Sequence, residues 1–358
     1  MAWHRTRFAA RFGLDVPIVQ APMAGGMVGP ALVGAVSDAG GLGSLAFGMT
    51  APDAIGAEVA KARVATNRPF AANVFLHEPG VPTADQLARS AAFLAPIRAE
   101  LGLPPQGPEA PGPSHRVADQ VAAVLEAAPP VISFAFGAPS ADVMAACRRR
   151  GILTIATATT PEEARHLEAL GVDAICAQGA EAGGHRGTFL HPFEAGMIGT
   201  LALVRACVDA VDVPVIAAGG IMDGRSIAAA LLLGAEGVQL GTAFLLCPEA
   251  TTAKPYRRAL AAGGPTAVTR AISGRPARGI ENRIIAEGRA VEADLPPYPV
   301  QNELTKAIRA AAAAQDQPAF LSLWAGQGVG LIRDGVKAGD LVARLAVETE
   351  AALLGALR

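Results

Sequence analysis

Short apolar runs recur along this chain and alternate with longer stretches of helical character. Pro17 to Ala21, Leu42 to Leu45, Phe70 to Phe75, Val131 to Phe134, Ile152 to Ala156, Ala174 to Ala177, Pro214 to Ala218 and Val238 to Leu240 are dominated by apolar side chains, as strands buried on both faces require. Between them, Gly29 to Ala39, a stretch beginning near Pro52, Ala84 to Leu101, Arg116 to Ala127, Pro161 to Gly171, Ile198 to Val211 and Arg225 to Leu233 read as helices. Pro161 suits a first helical turn, with Glu162 and Glu163 where the macrodipole favours negative charge; Asp223 is placed as an N-cap and Gly234 as a terminator. Eight strands alternating with helices over roughly 240 residues predict a TIM-type (β/α)₈ barrel rather than an open sheet.

The rhythm fails in two places. From Leu101 to Ser114 the sequence LGLPPQGPEAPGPS predicts a surface loop. Beyond Cys247 the strand-helix repeat stops, helical stretches dominate, and the turn-rich LPPYPVQNELTK (Leu295 to Lys306) and SLWAGQGVG (Ser322 to Gly330) intervene. The expected organisation is a barrel over residues 1–246, a smaller, mostly helical substrate-side domain over 247–330, and a C-terminal amphipathic helix within 331–358 that packs back on the barrel.

The 358 residues are 51% hydrophobic and carry a formal charge of −2, which supplies a large core and no electrostatic footprint for nucleic acid or anionic lipid. Small-molecule chemistry is the remaining default. Apolar runs such as Ile227 to Leu233 are too short to span a bilayer, and Arg5, Arg7 and Arg11 precede a strand without a signal-like region, so a cytoplasmic location is expected. Cys147, Cys176, Cys207 and Cys247 are scattered, with no metal-type spacing, and are expected to be reduced and buried; no metal is expected.

Candidate chemistry clusters after the strand ends, which a barrel gathers on one face. Asp173 to Gly187 reads DAICAQGAEAGGHRG, a strand that turns abruptly polar and glycine-rich. Gln178 offers an amide that both donates and accepts, Gly183 and its neighbours allow close backbone approach, and His185 titrates near neutrality. Arg186, if turned inward, would disfavour a second positive charge on His185. Pro22 and Met23, leading into Gly25-Gly26, form a rigid, backbone-lined wall, and Asn73 is a polar residue in an apolar strand end. Gly219-Gly220 and Gln239-Leu240-Gly241-Thr242 follow strands seven and eight, where barrels bind phosphate through backbone N–H groups and a hydroxyl. No G-x-G-x-x-G opens a βαβ unit, so a mononucleotide fits better than a dinucleotide. A phosphate there, with the amides of Gln178 and Asn73 elsewhere on the rim, matches the ribityl phosphate and polar ring edge of FMN.

These stretches resemble the nitronate monooxygenases, FMN-dependent barrels also called 2-nitropropane dioxygenases. The resemblance rests on QAPMAGG (Gln20 to Gly26), NVF (Asn73 to Phe75), SFAFGAP (Ser133 to Pro139), AQGAEAGGHRG, AAGGIMDGRSIAAALLLGAEGVQLGTAF (Ala217 to Phe244) and SLWAGQG, spread over nearly the whole chain. It implies that Asn73, Gln178, Gly183, Gly220 and Gln239 to Thr242 contact FMN and that His185 faces the flavin, bonding the nitro oxygens or acting as a base toward a neutral nitroalkane. Tyr298 and Lys306 match the stretch that distinguishes bacterial members acting on propionate 3-nitronate, and Lys306 would suit that substrate's carboxylate. The implied reaction is a detoxification in which a small anionic nitronate and O₂ give a carbonyl product and nitrite, in a monomer or homodimer. The Pro-rich segment from Gly102 to Ser114 looks longer than the family's usual connection. The alternative is an FMN- and NAD(P)H-dependent enoyl reductase, which shares the barrel and a similar AGGH segment; Arg186 and SLWAGQG favour the monooxygenase. A non-catalytic flavin-binding protein would need no histidine at the ring.

Overall fold

The computed structural model describes residues 3–112 and 115–356. Eleven strands follow one another among these residues: β1 (Ile18–Gln20), β2 (Gly43–Ala46), β3 (Phe70–Phe75), β4 (Val131–Ala135), β5 (Leu153–Ala158), β6 (Ala174–Gln178), β7 (Gly184–His185), β8 (Val215–Ala218), β9 (Gly237–Leu240), β10 (Thr266–Thr269) and β11 (Ala277–Ile280). Eight of them form one parallel sheet in the order β1-β9-β8-β6-β5-β4-β3-β2. Its ends meet: Leu42 N donates to Ile18 O and Gln20 N to Leu42 O, both at 2.9 Å, through a parallel bridge between Val19 and Leu42. The predicted (β/α)₈ barrel is therefore present.

The strands are buried on both faces, which is why they read as continuous apolar runs instead of alternating ones. The inner layer contains Val19, Leu42, Ala71, Val131, Ile155, Ala174, Cys176 and Ile216, and it is stoppered by Phe8, Phe12 and Leu14. Phe8 and Phe12 come from a six-residue helix, Arg7–Phe12, capped by the Thr6 side chain. A Cβ on Gly237, the first residue of β9, would meet the Phe8 ring at 2.7 Å, so this helix plugs the end of the barrel where the strands begin. The sequence reading missed it because six residues carry too little periodicity. It likewise left out the helix Ala141–Arg149, which the Ser140 side chain caps.

The outer layer packs barrel strands against helices. Asp223 caps the helix Gly224–Leu232 as expected, in a reciprocal arrangement with Ser226. The last helix, Ala338–Ala356, lies against that helix and against Pro30–Asp38, contributing Leu341, Val342 and Leu345 to the same core. The four cysteines are free and buried. Among the described residues no helix is long and apolar enough to cross a membrane.

A second apolar core gathers Leu245, Leu260, Ile272, Ile284, Ile308, Phe320 and Leu323 around helices Lys254–Ala262, Arg283–Gly288 and Lys306–Ala314. Leu94, Ile97 and Leu101, at the end of helix Ala84–Glu100 in the interrupted part of the barrel repeat, join it. The segment also supplies β10 and β11, which the sequence reading did not place; β11 pairs antiparallel with β7 and so ties the segment to the loop that carries His185. Of the Pro-rich connector, the first part is anchored by Arg98, whose Nε donates to Pro104 O at 2.8 Å and whose Nη1 donates to Gln106 Oε1 at 2.9 Å. Pro113 and Ser114 lie outside the described residues.

Docking of the C-terminal helix is testable at Gly224. A Cβ there would lie 2.3 Å from the backbone of Glu348, so Gly224→Ala is expected to destabilise the protein by about 1–3 kcal/mol despite alanine's better helix propensity. At exposed Gly56, inside helix Pro52–Ala65 with nothing near its missing side chain, the same change should stabilise by about 0.5–1 kcal/mol. Urea unfolding of the two variants checks this; equal stabilisation by both would show that the last helix does not pack on Gly224.

Candidate active site

The loops beyond the C-terminal strand ends enclose a cavity of about 1540 Å³ measured out to its open mouth. Pro22, Met23, Asn73, Gln178, Gly183, His185, Gly219, Gly220, Gln239, Gly241, Thr242 and Tyr298 all border it. Leu240 does not, because its side chain is buried in the outer core. Lys306 is also absent: its side chain is 64% exposed and its Nζ lies 3.6 Å from Glu303. Ser133, Phe136, Asn302, Arg309, Ser322 and Trp324 border the cavity too. Of these, Asn302, Arg309, Ser322 and Trp324 come from the segment after the repeat, where no strand-end rule marks a position as facing the cavity.

The polar stretch after β6 is folded back on itself. Gln178 Oε1 accepts from Gly187 N at 2.8 Å and its Nε2 donates to His185 O at 3.0 Å, so the amide expected to face a ligand is engaged in shaping the loop. Arg186 is fully buried and donates to Gln178 O, Gly179 O and Gly196 O at 2.7 to 2.8 Å. Glu163, also buried, accepts from Thr159 N and Oγ1 with one oxygen and from Phe189 N and Leu190 N with the other, which fixes the chain beyond the loop. Gly183 lets the loop touch the SLWAGQG stretch: a Cβ there would lie 2.5 Å from Gly326 N. Gly326 N in turn donates to Thr242 Oγ1 at 3.0 Å, joining the loop after β9 to the same cluster.

His185 sits among rings, 5.5 Å from Phe136, 5.5 Å from Trp324 and 5.8 Å from Tyr298 between centroids. Phe136 has a φ of +73°, a strained conformation for an aromatic residue, and stacks on Phe75 with centroids 4.0 Å apart. The Arg275 guanidinium lies 4.0 Å from the centre of the Phe136 ring while donating to Arg186 O and Thr188 O. Burial lowers the His185 pKa to about 3, and the positive charges of Arg275 and Arg309 push the same way, as does His77 when it is protonated. The expected influence of Arg186 is thus not among the causes, because its guanidinium turns toward loop carbonyls.

The tautomer follows from Ser273. Its hydroxyl lies 3.0 Å from Arg275 O, which can only accept, and 2.9 Å from His185 Nε2. The arrangement that satisfies both contacts gives the hydroxyl hydrogen to the carbonyl and has His185 donate from Nε2, which leaves Nδ1 with a lone pair. Tyr298, buried against His77 with centroids 4.7 Å apart, has its pKa raised to about 12 by burial and keeps its proton.

Two further features point to a ligand. Asn73 Nδ2 donates to Ser133 O and Oγ at 3.1 and 3.0 Å, whereas its Oδ1 is buried without a partner. A buried acceptor left unpaired is costly, and this one borders the cavity. In the closed strand order β3 and β8 stand on opposite walls, with three strands between them on either side. On the β8 wall, Gly219 and Gly220 have φ values of +120° and +71° and present bare backbone.

Comparison with known proteins decides the family. The nitronate monooxygenase family model matches residues 9–348. The chain belongs to the nitronate monooxygenase family. A nitronate monooxygenase of Pseudomonas aeruginosa is 44% identical over 349 residues, covering 96% of this chain and 98% of the relative, and one of Paraburkholderia phytofirmans is 44% identical over 338 residues, covering 93% and 92%. Among solved structures, a nitroalkane oxidase from Streptomyces ansochromogenes superposes with a TM-score of 0.89 at 42% identity over 98% of this chain and all of its own. FabK from Thermotoga maritima superposes at 0.76 with 28% identity over 99% and 98%. This nitronate monooxygenase family member is accordingly an oxidoreductase.

The state of His185 can be observed directly. With a pKa of about 3 the ring stays neutral from pH 5 to 8, in contrast to a solvated imidazole, which would gain a proton as pH falls through about 6.5. Nitrogen NMR of protein labelled at histidine should show one ring protonated at Nε2 that does not titrate in this window and that disappears in His185→Asn. A His185 signal that shifts near pH 6.5, or is protonated at Nδ1, would contradict the derived tautomer and burial.

Proposed function

We propose that this enzyme carries FMN and oxidises small anionic nitronates, propionate 3-nitronate foremost, with O₂ to a carbonyl product and nitrite, in a detoxifying role. Asn73 is the observation that carries the reading. Its unpaired Oδ1 calls for an N–H on the ligand, and the isoalloxazine ring offers one on its polar edge. On the opposite wall the backbone of Gly219, Gly220 and Gly241 and the hydroxyl of Thr242 would take a phosphate. An acceptor on one wall and a phosphate cradle on the other suit a flat, elongated mononucleotide. When bound, the flavin supplies the acceptor for the substrate's electrons and their route to O₂.

The protein's own residues then divide the work at the substrate. The neutral His185 has a lone pair on Nδ1, so it can remove a proton from the carbon of a neutral nitroalkane, but in this tautomer it cannot donate to nitro oxygens. That hydrogen bond falls to the Tyr298 hydroxyl, which burial keeps protonated. The rings of Phe136, Trp324 and Tyr298 exclude water around the imidazole, which preserves its neutral state as well as the charge contrast felt by an anion.

Two sets of measurements test the reading. The purified protein should release FMN and not FAD on denaturation, and Gly220→Val should abolish flavin retention, since valine is strained at a φ of +71° and would cover the backbone of that loop. A folded Gly220→Val protein with full flavin content would place the phosphate elsewhere. In anaerobic mixing, propionate 3-nitronate should bleach the flavin rapidly while NADPH leaves it oxidised; the reverse pattern would favour the enoyl reductase that the FabK-like architecture admits. His185→Asn should retain flavin and lose about 10²–10⁴-fold in turnover of a neutral nitroalkane, with a smaller loss on preformed nitronate, which has no carbon proton to give up. Unchanged rates on both substrates would remove His185 from the chemistry.

A further inference from the structure

One charge bordering this cavity has so far entered only through its field at His185. Arg309, on helix Lys306–Ala314, borders the cavity beside Tyr298 and Asn302. Its Nη2 donates to Asn302 O at 2.7 Å and Asn302 Oδ1 at 3.0 Å, and its Nε is buried with no partner. Burial lowers its pKa, only partly opposed by the negative charge of Glu303, and that carboxylate forms its ion pair with exposed Lys306. Among the described residues, none forms an ion pair with Arg309.

The other two buried guanidinium groups of the site show what a structural arginine looks like here. Arg186, whose Nε is unpartnered too, spends its terminal nitrogens on three carbonyls, and Arg275 serves two while lying on the Phe136 ring, so the difference at Arg309 lies in its terminal nitrogens. Among the described residues, the Arg309 guanidinium has one hydrogen-bond partner, Asn302. Its charge reaches both His185 and Tyr298, so the guanidinium belongs to the imidazole end of the cavity. The glycine loops after β8 and β9 are not among its contacts. A half-buried cation with spare N–H groups at the edge of this cavity has the chemistry to receive a carboxylate.

We propose that Arg309 binds a carboxylate carried by the substrate at the end remote from the nitro group, and thereby makes the enzyme select carboxylate-bearing nitronates over plain alkyl nitronates. This rests on the nitronate reading above and assigns to Arg309 the role that Lys306 cannot perform from the surface. Asn302 acts as the positioning residue, holding Nη2 so that the remaining N–H groups face the cavity. With the nitro group near Tyr298 and His185, the far end of a short-chain substrate lies within the reach of this guanidinium's field.

The test compares Arg309→Gln and Arg309→Lys with the parent flavoprotein. On propionate 3-nitronate, Arg309→Gln should raise KM on the order of 10- to 100-fold, the loss expected for one charge-assisted contact, and Arg309→Lys should recover part of it. On propyl-1-nitronate both variants should stay within about twofold of the parent, with unchanged flavin content. Equal losses on the two nitronates, or loss of flavin, would overturn the assignment in favour of a structural or phosphate-binding arginine. A second readout needs neither turnover nor a variant: titration of the parent with propionate should perturb the flavin absorbance saturably, whereas propionamide should not, and no difference between the two would also overturn it. If the parent oxidises no nitronate at all, the functional reading fails, and the propionate titration still decides whether Arg309 receives carboxylates.

Discussion

The site depends on a buried arginine that does not itself line the cavity. Within ten residues of the end of β6 the chain leaves the barrel, crosses the mouth and pairs with β11, and Arg186 threads its guanidinium through the carbonyls of Gln178, Gly179 and Gly196 to hold that excursion in place. The Gln178 amide closes the same loop from the strand side. An arginine buried this deeply loses its hydration, and burial lowers its pKa to about 10; three carbonyl partners offset much of that loss. His185, one residue earlier in sequence, gains its position from these bonds and not from packing of its own side chain alone. The small β7–β11 pairing has only two registered positions, so without the arginine the loop would have little reason to adopt one shape.

The same loop joins the two cores. β11 belongs to the segment that carries Tyr298, Asn302 and Arg309, and Gly183 meets Ala325 and Gly326 at backbone contact distance. Barrel and appended segment are therefore welded at the residues that line the cavity. Asn73, Gln178, Gly219, Gly220 and the His185 loop come from the barrel, while Tyr298, Asn302 and Arg309 come from the appended segment, a division that would let the second half change specificity without rebuilding the first.

The barrel was legible because its strands are buried on both faces and several of its helices carry local signals, Pro161 with Glu162 and Glu163 at one start and Asp223 as the cap of another, whereas the Ser140 cap went unread with its short helix. The rim residues were legible for a related reason: a polar or glycine position directly after an apolar run must face the open end. Lys306 was misplaced because charge alone does not say which side of a short helix faces inward; Arg309, three positions on, takes the inner place and Lys306 faces solvent beside Glu303. Nothing in the sequence shows that Gln178 spends its amide on its own loop, or that Ser273 sets the His185 tautomer from 88 residues away. Such facts depend on long-range pairings, β7 with β11 above all, which two-residue strands cannot announce.

Neutral imidazole and unpaired guanidinium are two results of one field. Burial alone disfavours a charged His185, and the cations Arg275 and Arg309 disfavour it further, so the ring holds its lone pair where a solvated histidine would begin to take a proton. Arg275 has its charge delocalised over carbonyls and a ring face, whereas Arg309 keeps much of its own undischarged. A cavity whose charged lining is a guanidinium discriminates before any specific contact forms: it favours anions and resists a second cation. On the reading proposed above, an anion bound at Arg309 would partly cancel the field at His185 and raise the proton affinity of the ring. The base would then strengthen when substrate is present, and this coupling would require no moving part, only that both side chains face the same low-dielectric space.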